Sequence, residues 1–309
     1  MPLLDAIRAL SEFDPPGEFP KADLAVLAEV LEAHGLAPVA SYHLENFPIG
    51  AGLPAQFREK LLTLYQGVVN DNVFRFMAVR SAIKDSPVPV VLLSGLAAVD
   101  WLYPHLAFRP LGDLRLAVRG PDGARFAETV AGAGFVLAGE PVEGVARFSD
   151  GRISFTIQEG VFAGAAEDPV LFENAARVPA YGKNVFRPSP EDAILATVGE
   201  QAETGLYAPL ISFVDLRELA SLAPPPLARV LMERARGLGL SRALFGSMEL
   251  LAGYFPRVAA AARALRPGLS AAEQAAVQAI VESARDPAKL AHLRGVEAAA
   301  RLVVAPRPG

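Results

Sequence analysis

Apolar residues in the first 86 positions recur at helical spacing. Leu3, Leu4, Ile7 and Leu10 form one short stripe, and Leu24, Leu27, Val30 and Leu31 form another that stops at His34-Gly35, a helix-ending signal. A Pro/Gly-rich connection from Glu45 to Pro54 follows. Beyond it Phe57, Leu61, Leu64, Tyr65, Val68, Val73, Phe76 and Val79 keep the same rhythm, which predicts one long helix or two stacked ones. The rhythm changes at Pro87. Val88 to Leu93 is a continuous apolar run bounded by proline and by Ser94-Gly95, as in a buried strand. A short helix over Leu96–Tyr103 and a strand holding Leu114, Leu116 and Val118 come next, then a helix over Arg125–Ala133 that stops at Gly134. Phe135–Leu137, Ala146–Phe148 and Ile153–Ile157 read as strands, the last two joined by the hairpin signal Asp150-Gly151.

From Ser189-Pro190, an N-cap followed by proline at the first helical position, the pattern is helical again. Helices are expected over Glu191–Thr204, Pro209–Ser221, Leu227–Leu238, Ser241–Tyr254, Arg257–Leu265, Ala271–Ala284 and Ala288–Leu302. The expected fold class is α+β, a mixed-sheet core flanked by N-terminal and C-terminal helical regions. The boundaries read as 1–86 helical, 87–187 α/β core and 188–309 helical.

Composition narrows the function. The 309 residues are 52% hydrophobic and 20% charged, with a formal net charge of −5. That balance suits a folded domain and gives no basic footprint for nucleic acid or an anionic membrane. The most apolar window, VPVVLLSGLAAV, is too short to cross a bilayer and stops at Asp100. The N-terminus lacks the basic-then-apolar order of a signal peptide, so the expected location is the cytoplasm. No cysteine is present, which leaves oxygen ligands and four histidines for any metal. His34, His43, His105 and His292 have no ligand spacing and read as isolated surface or core residues.

The candidate chemistry centres on Asp113-Leu114-Arg115. Alone, this is an ordinary solvent-facing strand pair. Around it stand Leu93-Ser94-Gly95, Leu102-Tyr103-Pro104, Arg109, Gly134-Phe135, Ser189-Pro190-Glu191-Asp192 and Phe213-Val214-Asp215-Leu216, with Asn72 on the preceding long helix. In order and spacing, over about residues 55–255, these resemble the uncharacterised nucleotidyltransferases of the DNA polymerase beta superfamily, here a degenerate member. The resemblance implies a nucleotidyltransferase-like core that uses an NTP and Mg²⁺. Paired acids at i and i+2 on a strand share a face and hold the metal that bridges the phosphates. It implies Asp113 as the catalytic and metal-binding acid and Ser94, Gly95, Arg109 and Arg115 as nucleotide-binding positions. Arg109 reads equally as a phosphate contact or as a structural ion pair. Trp101 and Tyr103-Pro104 read as helix-end packing, and Glu191 and Asp192 as capping residues.

The departures from the family pattern all weaken the metal site. The second acid is Arg115, and two unit positive charges about 4 Å apart repel by ~4 kcal/mol at an effective dielectric near 20. Thr156 stands at the third acid, Gln158 at a histidine, Ser94 at a lysine, and Ala196 and Glu200 at two helix histidines. These losses favour a non-catalytic module that binds a protein, through its helical regions, or a nucleotide. The alternative is an active Mg²⁺-dependent enzyme moving NMP from NTP to a protein, RNA or small-molecule acceptor, with Asp113 joined by Glu159 or Asp100. A helical scaffold with an incidental α/β insert is a third reading.

Overall fold

The preceding helix ends at Ile83, and the four residues after Pro89 are fully buried as strand β1 (Val90–Leu93). β1 pairs antiparallel with β2 (Leu114–Ala117), which lies parallel to β5 (Ser154–Gln158). The computed structural model describes residues 2–13, 19–142, 144–222, 226–290 and 296–306. Within these the sheet is mixed and seven-stranded. Its order is β3 (Val136–Leu137), β4 (Ala146–Ser149), β5, β2, β1, β7 (Val185–Arg187), β6 (Ala176–Arg177). The last two extend the sheet beyond the strands expected from periodicity, because runs of two and three residues carry too little pattern to register.

Successive side chains of β1 point to opposite faces. Val90 and Leu92 join one core with Leu114, Leu116, Phe126, Phe155 and Ile83. Val91 and Leu93 face a second core built from both helical regions. The N-terminal helices are α1 (Pro2–Ser11), α2 (Leu24–Ala33), α3 (Ala37–Asn46) and α4 (Ala55–Ile83). Between the strands lie α5 (Ser94–Trp101), α6 (Gly123–Gly132) and α7 (Pro169–Glu173). Then come α8 (Pro190–Glu203), α9 (Leu210–Leu222), α10 (Leu227–Gly237), α11 (Ser241–Tyr254), α12 (Ala259–Ala264), α13 (Ala271–Ala284), α14 (Pro287–Leu290) and α15 (Val296–Val304). Among the described residues no helix is long and apolar enough to cross a membrane. His292 and the middle of the expected Ala288–Leu302 helix lie outside the described residues.

α4 is one helix of 29 residues rather than two, and it touches both cores: Val79 and Ile83 the first, Phe57 and Leu61 the second. Between them sits the buried Asn72. Its Nδ2 donates to the carbonyls of Leu106 (2.7 Å) and Arg109 (2.8 Å), and its Oδ1 accepts from the N–H of Leu111 at 2.9 Å. One side chain thereby satisfies three loop groups and fixes the segment that leads into Asp113.

Two buried histidines pin the helices. The Nδ1 of His34 accepts from the N–H of Leu210 at 3.1 Å, so Nε2 carries the proton it donates to the carbonyl of Pro287 at 2.9 Å. Both nitrogens of the neutral ring are used, and burial lowers its pKa against the opposing pull of the Pro287 carbonyl. His43 donates from Nδ1 to the carbonyl of Leu10 at 2.9 Å. Burial lowers its pKa to about 4, the Leu10 bond opposing and Arg217 adding to the drop. The folded pKa lies below the unfolded value, so the stability from the neutral ring is complete above about pH 6.5 and is lost as pH falls toward 4. The expected loss from His43 is about 3 kcal/mol over that window. Urea denaturation at stepped pH checks this, with His43→Gln expected to flatten the curve; an unchanged slope refutes the assignment.

Candidate active-site cleft

β1 enters α5 through Ser94, which adopts φ +54°, a left-handed conformation uncommon for a residue with a side chain. Ser94 lies close enough to Glu200 on α8 to favour its charged form. At the next residue, any side chain would overlap the guanidinium of Arg109. Gly95 is therefore the seat on which Arg109 rests.

Arg109 is committed to Asp215 on α9. Its Nε donates to both carboxylate oxygens, at 3.1 and 2.9 Å, and Nη2 lies 2.8 Å from Oδ2. Its Nη1 donates to the carbonyl of Pro110 at 3.0 Å. The hydroxyl of Tyr103 donates to the same carboxylate at 2.7 Å. Burial, then the charge of Asp215, push the Tyr103 hydroxyl far above its usual pKa, so it remains a donor. Burial works against the charge on Arg109, and Asp215 more than offsets it. Arg109 thus forms an ion pair with Asp215 while also lining the cleft.

Asp113 stands just before β2. Its Oδ1 accepts a long bond from Thr156 Oγ1 at 3.4 Å, across the parallel β2–β5 pair. Arg115, opposite Leu93 on β1 and Thr156 on β5, reaches three carboxylates. Its Nε lies 3.1 Å from Asp113 Oδ2 and 3.0 Å from Glu200 Oε1. Nη1 and Nη2 grip both oxygens of Glu203 at 2.6 and 2.8 Å, the bidentate geometry peculiar to a guanidinium. Burial opposes the arginine's charge, but Glu203, Glu200 and Asp113 together hold its pKa above the ordinary value. Loss of water raises the pKa of Glu200, with Arg115 and then Ser94 pulling it back. The guanidinium thus sits among three carboxylates.

Gly95, Arg109, Asp113, Arg115, Glu200 and Glu203 line a cleft of about 540 Å³. Its lining also includes Glu32, Leu64, Val68, Leu111, Gln201 and Ile211, and among the described residues its basic lining residues are Arg109 and Arg115. Glu159 lies elsewhere, in a separate cavity of about 310 Å³ beside Arg119 and Gly120. Asp100, within electrostatic reach of Arg187, is not in the cleft lining either. The acids that join Asp113 are instead Glu200 and Glu203. Their i,i+3 spacing on one helix face is a signal visible in the sequence, overshadowed there by reading Glu200 only as a lost histidine. Among the described residues no group of three or more His, Cys, Asp or Glu is arranged to hold a metal ion.

The Ser189–Asp192 segment is a helix start. Ser189 accepts from the N–H of Asp192 at 3.3 Å and donates to its carboxylate at 2.8 Å. The fully buried Asp192 pairs with Arg234, which also pairs with Asp168. Burial raises the Asp192 pKa to about 6 despite Arg234.

The family model described as uncharacterised nucleotidyltransferase matches residues 20–256. The chain belongs to that family. No curated protein and no solved structure matches it. The matched region of this nucleotidyltransferase-family chain runs from α2 to the end of α11 and contains every strand and every lining residue of the cleft.

Proposed function

We propose that this nucleotidyltransferase-family domain is a non-catalytic binding module whose cleft does not take up a metal–nucleotide complex. The observation that carries this reading is the Arg115 guanidinium held among Asp113, Glu200 and Glu203. As arranged, these residues do not fit Mg²⁺. A divalent ion about 4 Å from the guanidinium would meet a repulsion of roughly 8 kcal/mol at an effective dielectric near 20. Mg²⁺ also demands near-octahedral direct ligation by oxygen, and the guanidinium fills the space between these carboxylates.

The phosphates fare no better. A triphosphate needs unengaged cations or N–H donors. Here Arg109 is neutralised by Asp215 and Arg115 by its carboxylates, while Glu32, Asp113, Glu200 and Glu203 line the same space. Ser94 and Gly95, the expected phosphate-side residues, serve Glu200 and Arg109 instead. Support for a protein partner comes from α4, whose Val73, Phe74 and Met77 are exposed together.

Isothermal titration with Mg²⁺ and each NTP, alongside transfer assays with α-labelled NTPs, tests the proposal. The expected result is no saturable binding below millimolar concentration and no label transfer. Transfer that disappears in Asp113→Ala would sink it. The convergence of three carboxylates favours the active alternative, a transfer of NMP to a protein, RNA or small-molecule acceptor, only if Arg115 leaves the cluster when substrate binds. The same assay separates the two.

A further inference from the structure

We infer that the cleft is a site for a small organic cation, an alkylammonium or guanidinium group carried on an apolar body. The inference rests on the non-catalytic reading above and names the ligand class that the same cleft would take.

Each carboxylate oxygen that Arg115 engages keeps a further lone pair, so it can still accept from an N–H-bearing cation. Arg115 directs Nε, Nη1 and Nη2 at its three carboxylates. Three carboxylates around one guanidinium leave two negative charges in excess at this cluster. The side chains of Asp113 and Glu203 are 39% and 36% exposed, so an entering cation can reach them without displacing Arg115. An anion finds no comparable partner.

A second observation is independent of the acids. Gln201, also in the cleft lining and fully buried, donates from Nε2 to Ser212 Oγ at 2.8 Å, and Ser212 lines the cleft as well. That bond leaves the Oε1 of Gln201 without a partner. A buried acceptor with no donor carries a desolvation cost, which an N–H group arriving in this wall would relieve. Leu64, Val68, Leu111 and Ile211 supply apolar surface for the body of the ligand, and about 540 Å³ is within the range of small-molecule sites. Arg115 is itself a precedent, since the cluster already binds one guanidinium.

The test uses the full chain and isothermal titration with agmatine and spermidine. The neutral 1,6-hexanediol serves as control, and a short Lys/Arg peptide and MgATP form separate arms. Saturable binding of a free amine is expected, with none for the diol. Glu203→Gln, which keeps the side-chain shape, should weaken binding by roughly tenfold. Should that variant fold poorly, Glu32→Gln gives the same test at a 52% exposed side chain whose ion partner, Lys60, is 3.9 Å away on the surface. Peptide binding without free-amine binding would assign the cation to a protein's basic side chain and uphold the cation class. If neither cation source binds, or if binding is unchanged in both Glu variants, the inference is wrong. Silence from both the amines and MgATP overturns this inference alone, whereas saturable MgATP binding overturns the non-catalytic reading.

Discussion

The Asp215→Ala variant is expected to lose about 3–5 kcal/mol of folding stability, the cost of leaving a buried charge without its partner. Arg109 is 8% exposed and Asp215 is 2% exposed. Removing the carboxylate strands the guanidinium and also the hydroxyl of Tyr103, which donates to the same oxygen as Arg109. Asp215→Asn should cost less, because the amide oxygen still accepts from one of the two donors. Removing both charges, Arg109→Met with Asp215→Leu, should recover a large part of the loss, since a buried pair can be replaced by apolar groups at small net cost. Urea denaturation of the four proteins checks the pattern; a single-variant loss below about 1 kcal/mol would show that the pair is not the clasp described.

For Arg115→Ala, the second large effect, about 2–3 kcal/mol is expected at pH 7, less than for a fully buried pair because the carboxylates are partly solvated. Three carboxylates would then face one another without a cation. Their folded pKa values would rise above the unfolded ones, so the variant's stability would be highest below about pH 4 and would fall as pH rises through the raised values. The deficit relative to wild type should shrink on acidification. Arg115→Lys should recover only part of it, because an ammonium cannot grip both oxygens of Glu203 in the planar fork. Denaturation at pH 7.5 and 4.5 reads this out, and a deficit independent of pH would point to lost packing instead.

Much of the architecture was legible in the residues. The β1, β2 and β5 strands of the sheet centre and the whole long helix α4 follow from apolar runs and their period. Ser241–Tyr254 and Ala271–Ala284 are helices over the expected residues, and Ser189 caps α8 as its sequence implies. What escaped had a physical reason. α3 contributes Ala37, Pro38, Val39, Ala40, Ser41, His43 and Leu44 to the interior; a helix buried nearly all round shows no polar face, and so no period.

The cleft was legible in half. Asp113 and Arg115 stand out as an acid followed by a base where paired acids are expected, and the resemblance placed Ser94, Gly95 and Arg109 nearby. Their partners were not visible. Glu203 meets Arg115 from 88 positions away, and Asp215 meets Arg109 from 106.

The sequence by itself determined the order of elements, the family and the presence of a positive charge two residues after Asp113, because periodicity, caps and motifs are local properties of a chain. Only the tertiary structure decided what that charge does. Packing α8 and α9 against the end of the sheet sets Glu200 and Glu203 around Arg115 and buries Asp215 against Arg109. Coulombic partners are chosen by distance in space and by the water excluded between them, neither of which is written in the spacing of residues along the chain.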